Sequence, residues 1–64
     1  MTKTEARKLK AGERVVIWRG KPYEVTGTVV RLFPHGYDKA VIFDWDDGER
    51  STIVDADCEV VEVL

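Results

Sequence analysis

Lys39–Ser51 reads KAVIFDWDDGERS, and the Asp46-Asp47-Gly48 triplet at its centre constrains the fold more than any other stretch. Two β-prone segments flank an acidic-Gly turn of the kind that closes a tight hairpin. Further strand-like runs stand around it at short intervals, with turn residues between them, which predicts one small all-β barrel. No catalytic constellation accompanies these runs. The sequence therefore points to a compact binding module.

Sixty-four residues make a single domain at the small end of what folds unaided. A chain of that size buries only about 60% of the surface its unfolded form exposes, leaving little room for both a core and a deep catalytic pocket. With 44% hydrophobic and 34% charged residues the composition is that of an ordinary globular protein. Its β-branched and aromatic residues are too many for a disordered chain. The longest apolar runs are about four residues, far short of the roughly 20 that span a bilayer, so no membrane association is expected. The opening MTKTEARKLKAG is charged and has no apolar h-region, unlike a secretory signal. Cys58 stands alone and has no internal disulfide partner. A cytoplasmic location is the expectation.

Charge is unevenly distributed along the chain. Residues 1–31 carry eight Lys/Arg against Glu5, Glu13 and Glu24, a balance of +5, while residues 32–64 carry Lys39 and Arg50 against nine Asp/Glu, a balance of −7. Strands of a barrel interleave, so this asymmetry either dissolves over the surface or forms a basic patch opposite an acidic one.

Residues 1–11 read as an N-terminal arm or short helix and residues 12–64 as the barrel. Thr2-Lys3-Thr4-Glu5 has capping-box spacing, and Glu5–Lys10 then supplies about two helical turns stopped by Gly12. Strands are expected over Arg14–Trp18, Tyr23–Phe33 with a bend at Gly27, Lys39–Asp46, Glu49–Val54 and Glu59–Leu64. In the first, Val15 and Ile17 point inward and Val16 and Trp18 outward. In the third, Val41, Phe43 and Trp45 share one face. Pro34-His35-Gly36 makes a turn, and Asp55-Ala56-Asp57 a single 3-10 turn before the last strand. Five strands with that turn before the fifth are the layout of an SH3-like barrel.

Two motifs carry a family resemblance. Ala11-Gly12-Glu13-Arg14-Val15-Val16-Ile17 followed by Gly27-Thr28-Val29 resembles the opening of KOW and other SH3-like domains. The layout from Gly12 to about Val61 also resembles a Tudor domain. There Ile17-Trp18 ends the first strand, Tyr23 opens the second, Val41-Ile42-Phe43 forms the third and Asp57-Cys58 precedes the fifth. The Tudor resemblance implies an aromatic cage for a cation at Trp18, Tyr23 and Phe43. Where such readers carry a further aromatic and an Asn, this chain has Asp46 and Gly48. Read without the resemblance, Phe43 is core beside Val41 and Trp45, and Trp18 covers a barrel edge. An exposed Trp18–Tyr23 pair would also suit a protein-binding surface.

The resemblance to KOW domains implies nucleic-acid binding as an alternative. Lys8, Lys10, Arg14, Arg19, Lys21 and Arg31, with Lys3 and Arg7, are the candidate phosphate contacts, and Trp18 and Tyr23 the stacking platforms. A sequence pI near 5.3 speaks against it. Asp44, Asp46, Asp47 and Glu49 do not fit a calcium loop. Counted from Asp44, Gly48 arrives one residue early and the twelfth position is Asp55 rather than Glu. His35 has no second His or Cys at zinc spacing. Cys58 falls where similar domains place an aliphatic residue, so it reads as a buried, inert thiol.

A remote enzyme reading comes from Gly12–Val15, Pro34–Tyr37 and the closing strand, which resemble the plasmid-borne type II dihydrofolate reductases. Their Val-Gln-Ile-Tyr signature corresponds here to Ser51-Thr52-Ile53-Val54. Only the Ile is kept, so the groups that hold the folate and nicotinamide rings are missing. The sequence thus predicts a non-enzymatic, cofactor-free module. Its expected partner is a protein or peptide met by Trp18, Tyr23, Phe43, Asp46 and loop residues near the Asp46–Gly48 turn, or a larger assembly in which the chain is an accessory subunit, with nucleic acid as the alternative. A monomer is expected, or a weak homodimer paired through an exposed edge strand.

Overall fold

The computed structural model describes residues 1–64. Helix α1 (Lys3–Arg7) starts where its cap dictates. Thr2 Oγ1 accepts the Glu5 N–H at 3.2 Å, and Glu5 Oε1 accepts the Thr2 N–H at 2.8 Å. This capping box places the first helical residue at Lys3, two positions before the expected start. The helix is short and its exposed faces are charged. Ala6, and Leu9 just beyond the helix, enter the core. Residues 1–11 are therefore built into the domain rather than trailing from it.

Five strands follow: β1 (Arg14–Ile17), β2 (Val25–His35), β3 (Asp38–Trp45), β4 (Arg50–Val54) and β5 (Val61–Val63), the last preceded by a 3-10 segment at Asp55–Val60. All neighbouring pairs are antiparallel, in the order β4-β3-β2-β1-β5. The all-β class, the five strands, the short N-terminal helix and the 3-10 turn are as expected. The sheet is not closed, however: β4 and β5 are its two edges and no ladder joins them. The Asp55–Val60 segment carries the chain from one edge to the other. No helix is long and apolar enough to cross a membrane.

Both hairpins turn on glycines held at positive φ. Between β3 and β4, Trp45 N–H donates to Glu49 O at 2.8 Å and Gly48 N–H to Trp45 O at 3.0 Å, with Gly48 at φ 95°. A left-handed third residue matches the twist of the flanking strands. Between β2 and β3 the turn is tighter than expected. Pro34 and His35 remain in β2, opposite Lys39 and Asp38, and Gly36-Tyr37 makes the reversal. Pro34 is tolerated there because β1 flanks β2 only along Val25–Thr28, so Pro34 has an open side that needs no donor.

Gly27 is not the bend. The register shift in β2 falls between Val29 and Arg31. Gly27 lies opposite Trp45, and a Cβ on it would come within 2.4 Å of the indole Cε3 and 2.8 Å of Asp44 O. Its missing side chain is the seat of Trp45. The core gathers Ala6, Leu9, Val15, Val29, Val41, Phe43, Trp45, Cys58 and Val61. Phe43 and Trp45, two apart on β3, stack at 5.0 Å with 21° between their planes. Val16, expected on the outer face, is buried there. Its strand is flanked on both sides, by Thr26 of β2 and Glu62 of β5.

One ionic latch ties α1 to the sheet. Asp55 is fully buried, and its Oδ2 accepts from Arg7 Nε at 2.6 Å and from the Lys39 N–H at 3.1 Å. Arg7 also donates to Tyr37 O at 2.9 Å, and Lys3 pairs with Asp38 at 2.6 Å. Burial pushes the Asp55 carboxyl up. The Arg7 guanidinium and the Lys39 and Ala56 N–H groups outweigh that and hold it below the usual carboxylate value.

Candidate functional site

β1 ends one residue earlier than expected because Trp18 leaves the strand at φ 58°, the one non-glycine residue with a left-handed backbone. Its N–H still donates to Val60 O at 3.1 Å, while its carbonyl accepts from the Lys21 N–H at 3.0 Å. A second turn follows, with Glu24 N–H to Lys21 O at 3.0 Å and Gly20 N–H to Glu24 Oε1 at 2.8 Å. These turns consume Tyr23 and Glu24, so β2 starts at Val25 instead of Tyr23. They also bring the two aromatics together. Trp18 and Tyr23 meet edge to face at 5.6 Å and 75°, and are 41% and 60% exposed.

The left-handed conformation costs an L-residue roughly 1–2 kcal/mol, and this one carries a large apolar ring into solvent. Its strain is local to the most exposed aromatic pair in the molecule, as backbone strain at recognition sites often is.

Beside the pair lies an open cleft of about 290 Å³. Ile17, Val25 and Trp45 line it along with Trp18 and Tyr23, and Asp47, Glu49 and Ser51 complete its rim. Asp47 Oδ1 accepts only the Glu49 N–H, at 3.0 Å, and neither Asp47 nor Glu49 has an ion-pair partner. An aromatic wall, an aliphatic floor and two uncompensated carboxylates together suit a chain segment that is apolar along its stem and cationic at its tip. Other depressions lack this combination. The largest, about 480 Å³, is lined by Glu5, Glu59, Glu62, Met1 and Val63, with no aromatic among them.

Two of the residues expected to form the site do not. Phe43 is fully buried, stacked on Trp45, because it points into the core with Val41. Only Trp18 and Tyr23 of the three cage positions reach the surface. Asp46 faces away from the cleft. Its carboxylate takes Arg14 Nη1 at 2.9 Å and Nη2 at 2.5 Å, and Thr26 Oγ1 at 2.5 Å. The Arg14 guanidinium, then the Thr26 hydroxyl, pull it down to about 2. The acidic rim consists instead of its neighbours Asp47 and Glu49, part of the acidic turn region that the sequence places beside the aromatics but of which it singles out only Asp46. The signal lay in the turn itself, since it reverses the chain between Asp46 and Glu49.

The candidate phosphate-binding cations are divided. Arg14 is neutralised by Asp46, and Arg19 lies 3.9 Å from Glu62. Arg31 packs its guanidinium 5.2 Å over the Phe33 ring. Lys8, Lys10 and Lys21 are exposed and form no ion pair, but lie on separate segments, after α1 and in the loop after β1. Five of the six ion pairs join a cation of residues 1–31 to an acid of residues 32–64. The linear asymmetry is thus folded into cross-strand neutralisation rather than two opposite faces.

Of the remaining polar groups, Asp44 is held below its usual value by a bidentate bond from Arg50, at 2.5 and 2.8 Å. His35 is exposed at the end of β2. Cys58 is fully buried, and burial pushes its thiol up to about 11. Comparison with known proteins returned no match to this chain among protein-family models, curated sequences or solved structures.

Proposed function

We propose that this chain is a small non-enzymatic binding module. Its cleft beside Trp18 and Tyr23 receives a basic segment of a protein or peptide. The observation that carries the reading is Trp18, a tryptophan held at φ 58° and 41% exposed. The fold itself gains little from a large apolar side chain at that position. A partner that covers the ring gains much, since exposed Trp and Tyr are the residues that dominate interface energetics. Asp47 and Glu49 supply the charge preference, favouring cationic partners and their faster encounter. The expected SH3-like likeness, of KOW or Tudor type, belongs to the same proposal. Strands and turns that carry little chemistry of their own position a few exposed side chains.

Nucleic-acid binding remains the second reading, supported by the candidate contacts Lys8, Lys10 and Lys21, which form no ion pair. One experiment separates the two. Amide and indole resonances are followed while a short lysine-containing peptide, its glutamate counterpart and a single-stranded oligonucleotide are added in turn. The basic peptide should shift the Trp18 indole and Tyr23, and the glutamate peptide should not. Steeply salt-dependent shifts at Lys8, Lys10 and Lys21 with the oligonucleotide would transfer the function to nucleic acid. Silence of Trp18 towards both peptides would remove the protein-binding reading.

A further inference from the structure

The cleft is continuous with a free sheet edge, and we infer that the site takes an extended basic segment that adds to β4 as a sixth strand. This rests on the reading that the Trp18–Tyr23 cleft is a binding site, and states how the partner lies in it. β4 is an edge, with β3 on one side and no strand on the other. Trp45 donates to Glu49 O, so Trp45/Glu49 is a hydrogen-bonded pair, and Phe43/Ser51 and Val41/Ile53 follow in alternation. The residues between them, Arg50 and Thr52, therefore turn their N–H and C=O groups away from β3. They form a row of main-chain donors and acceptors of the kind that pairs with a peptide.

Register connects this edge to the cleft. Side chains directly across a ladder share a face. A residue laid opposite Glu49 or Ser51 would therefore project on their face of the sheet, into the cleft whose rim they form. Its neighbours would project to the other face and miss the cleft. The ligand is thus an extended segment of about five residues, matching β4, with lysine or arginine at alternate positions. Charge selects it. Asp47 and Glu49 have no cation of their own, and Arg50, the one cation on the strand, is already neutralised by Asp44. The opposite edge, β5, is only three residues long.

The test uses the whole chain and a short peptide alternating lysine with threonine, blocked at both ends. A second version is N-methylated on the backbone of the residues that face β4. The plain peptide should shift the Trp18 indole and slow hydrogen exchange at the Arg50 and Thr52 amides. N-methylation should weaken binding about tenfold through the loss of main-chain bonds. Thr52→Pro, which removes an outward N–H that β3 does not use, should weaken binding similarly. If that variant fails to fold, the N-methylated peptide still decides. A Trp18 response without protection of Arg50 and Thr52, and with the methylated peptide binding equally well, would overturn strand addition and leave the cleft as the site. No Trp18 response would overturn both readings. Protection of the same amides that rises with protein concentration, with no peptide present, would assign the edge to a second copy of this chain and overturn the inference.

Discussion

Trp18→Asn exchanges one set of local terms for another. Asparagine tolerates the left-handed backbone, relieving roughly 1–2 kcal/mol of strain, while the edge-to-face contact with Tyr23 is lost, worth about 0.5–1.5 kcal/mol. Denaturant unfolding should therefore find the variant within about 1 kcal/mol of the parent, and peptide binding should fall at least tenfold. A Trp18→Asn chain that unfolds would show that the ring serves the core instead. The Arg7–Asp55 latch gives a second contrast. Arg7→Ala strips a fully buried carboxylate of its cation, whereas Asp55→Asn removes the charge itself and keeps an acceptor. Thermal unfolding should rank Arg7→Ala as the more damaging of the two, because an uncompensated buried charge costs more than a missing pair. Neither partner of this latch stands out in the sequence. An Arg on a charged helix and an Asp opening a polar turn, 48 positions apart, look like ordinary surface residues until the fold brings them together.

Among the elements, the β3–β4 hairpin was the most legible, since Asp-Asp-Gly between alternating apolar residues admits few other conformations. The capping box is equally plain, although the helix it opens starts two residues before the expected Glu5 and ends at Arg7, three residues short of the expected Lys10. The loop between β1 and β2 was not legible. Trp18 and Tyr23 have high strand preference, and two successive turns override it through main-chain bonds that composition does not announce. The exclusion of Asp46 from the cleft follows from a contact with Arg14, 32 positions away, and so lay beyond local reading as well. Gly27 has the residue type of a special position, but its task is to seat Trp45 rather than to bend β2. Gly27→Ala should lower stability by about 1–3 kcal/mol, measured by denaturant unfolding, since Trp45 and the Asp44 carbonyl leave no space for a Cβ. The same substitution should alter the cleft, because Trp45 forms part of its lining.

For the molecule as a whole, acid is the expected weakness. Asp44, Asp46, Asp55 and Glu5 all titrate below their usual values in the folded chain. Each contributes stability that is fully present above the unfolded value near about 4 and is lost as pH falls through the folded one. The thermal midpoint should decline from about pH 5 downward, with the Asp46 contribution persisting until the pH nears its folded value of about 2. Asp46→Asn should flatten the lowest part of that profile. Cys58 offers a probe of global opening. It is fully buried and its thiol is raised to about 11, so alkylation at neutral pH should proceed only through unfolding. A fast reaction in native conditions would show that the 3-10 segment opens by itself. The two tryptophans, finally, occupy opposite extremes, Trp18 at 41% exposure and Trp45 at 7%, stacked on Phe43. This makes the chain a self-labelled optical sensor. Collisional quenchers should extinguish the red-shifted emission of Trp18 and spare the blue-shifted emission of Trp45. Ligand capture, which shields Trp18 from the quencher, can then be told from unfolding, which exposes Trp45 to it, in one unlabelled sample.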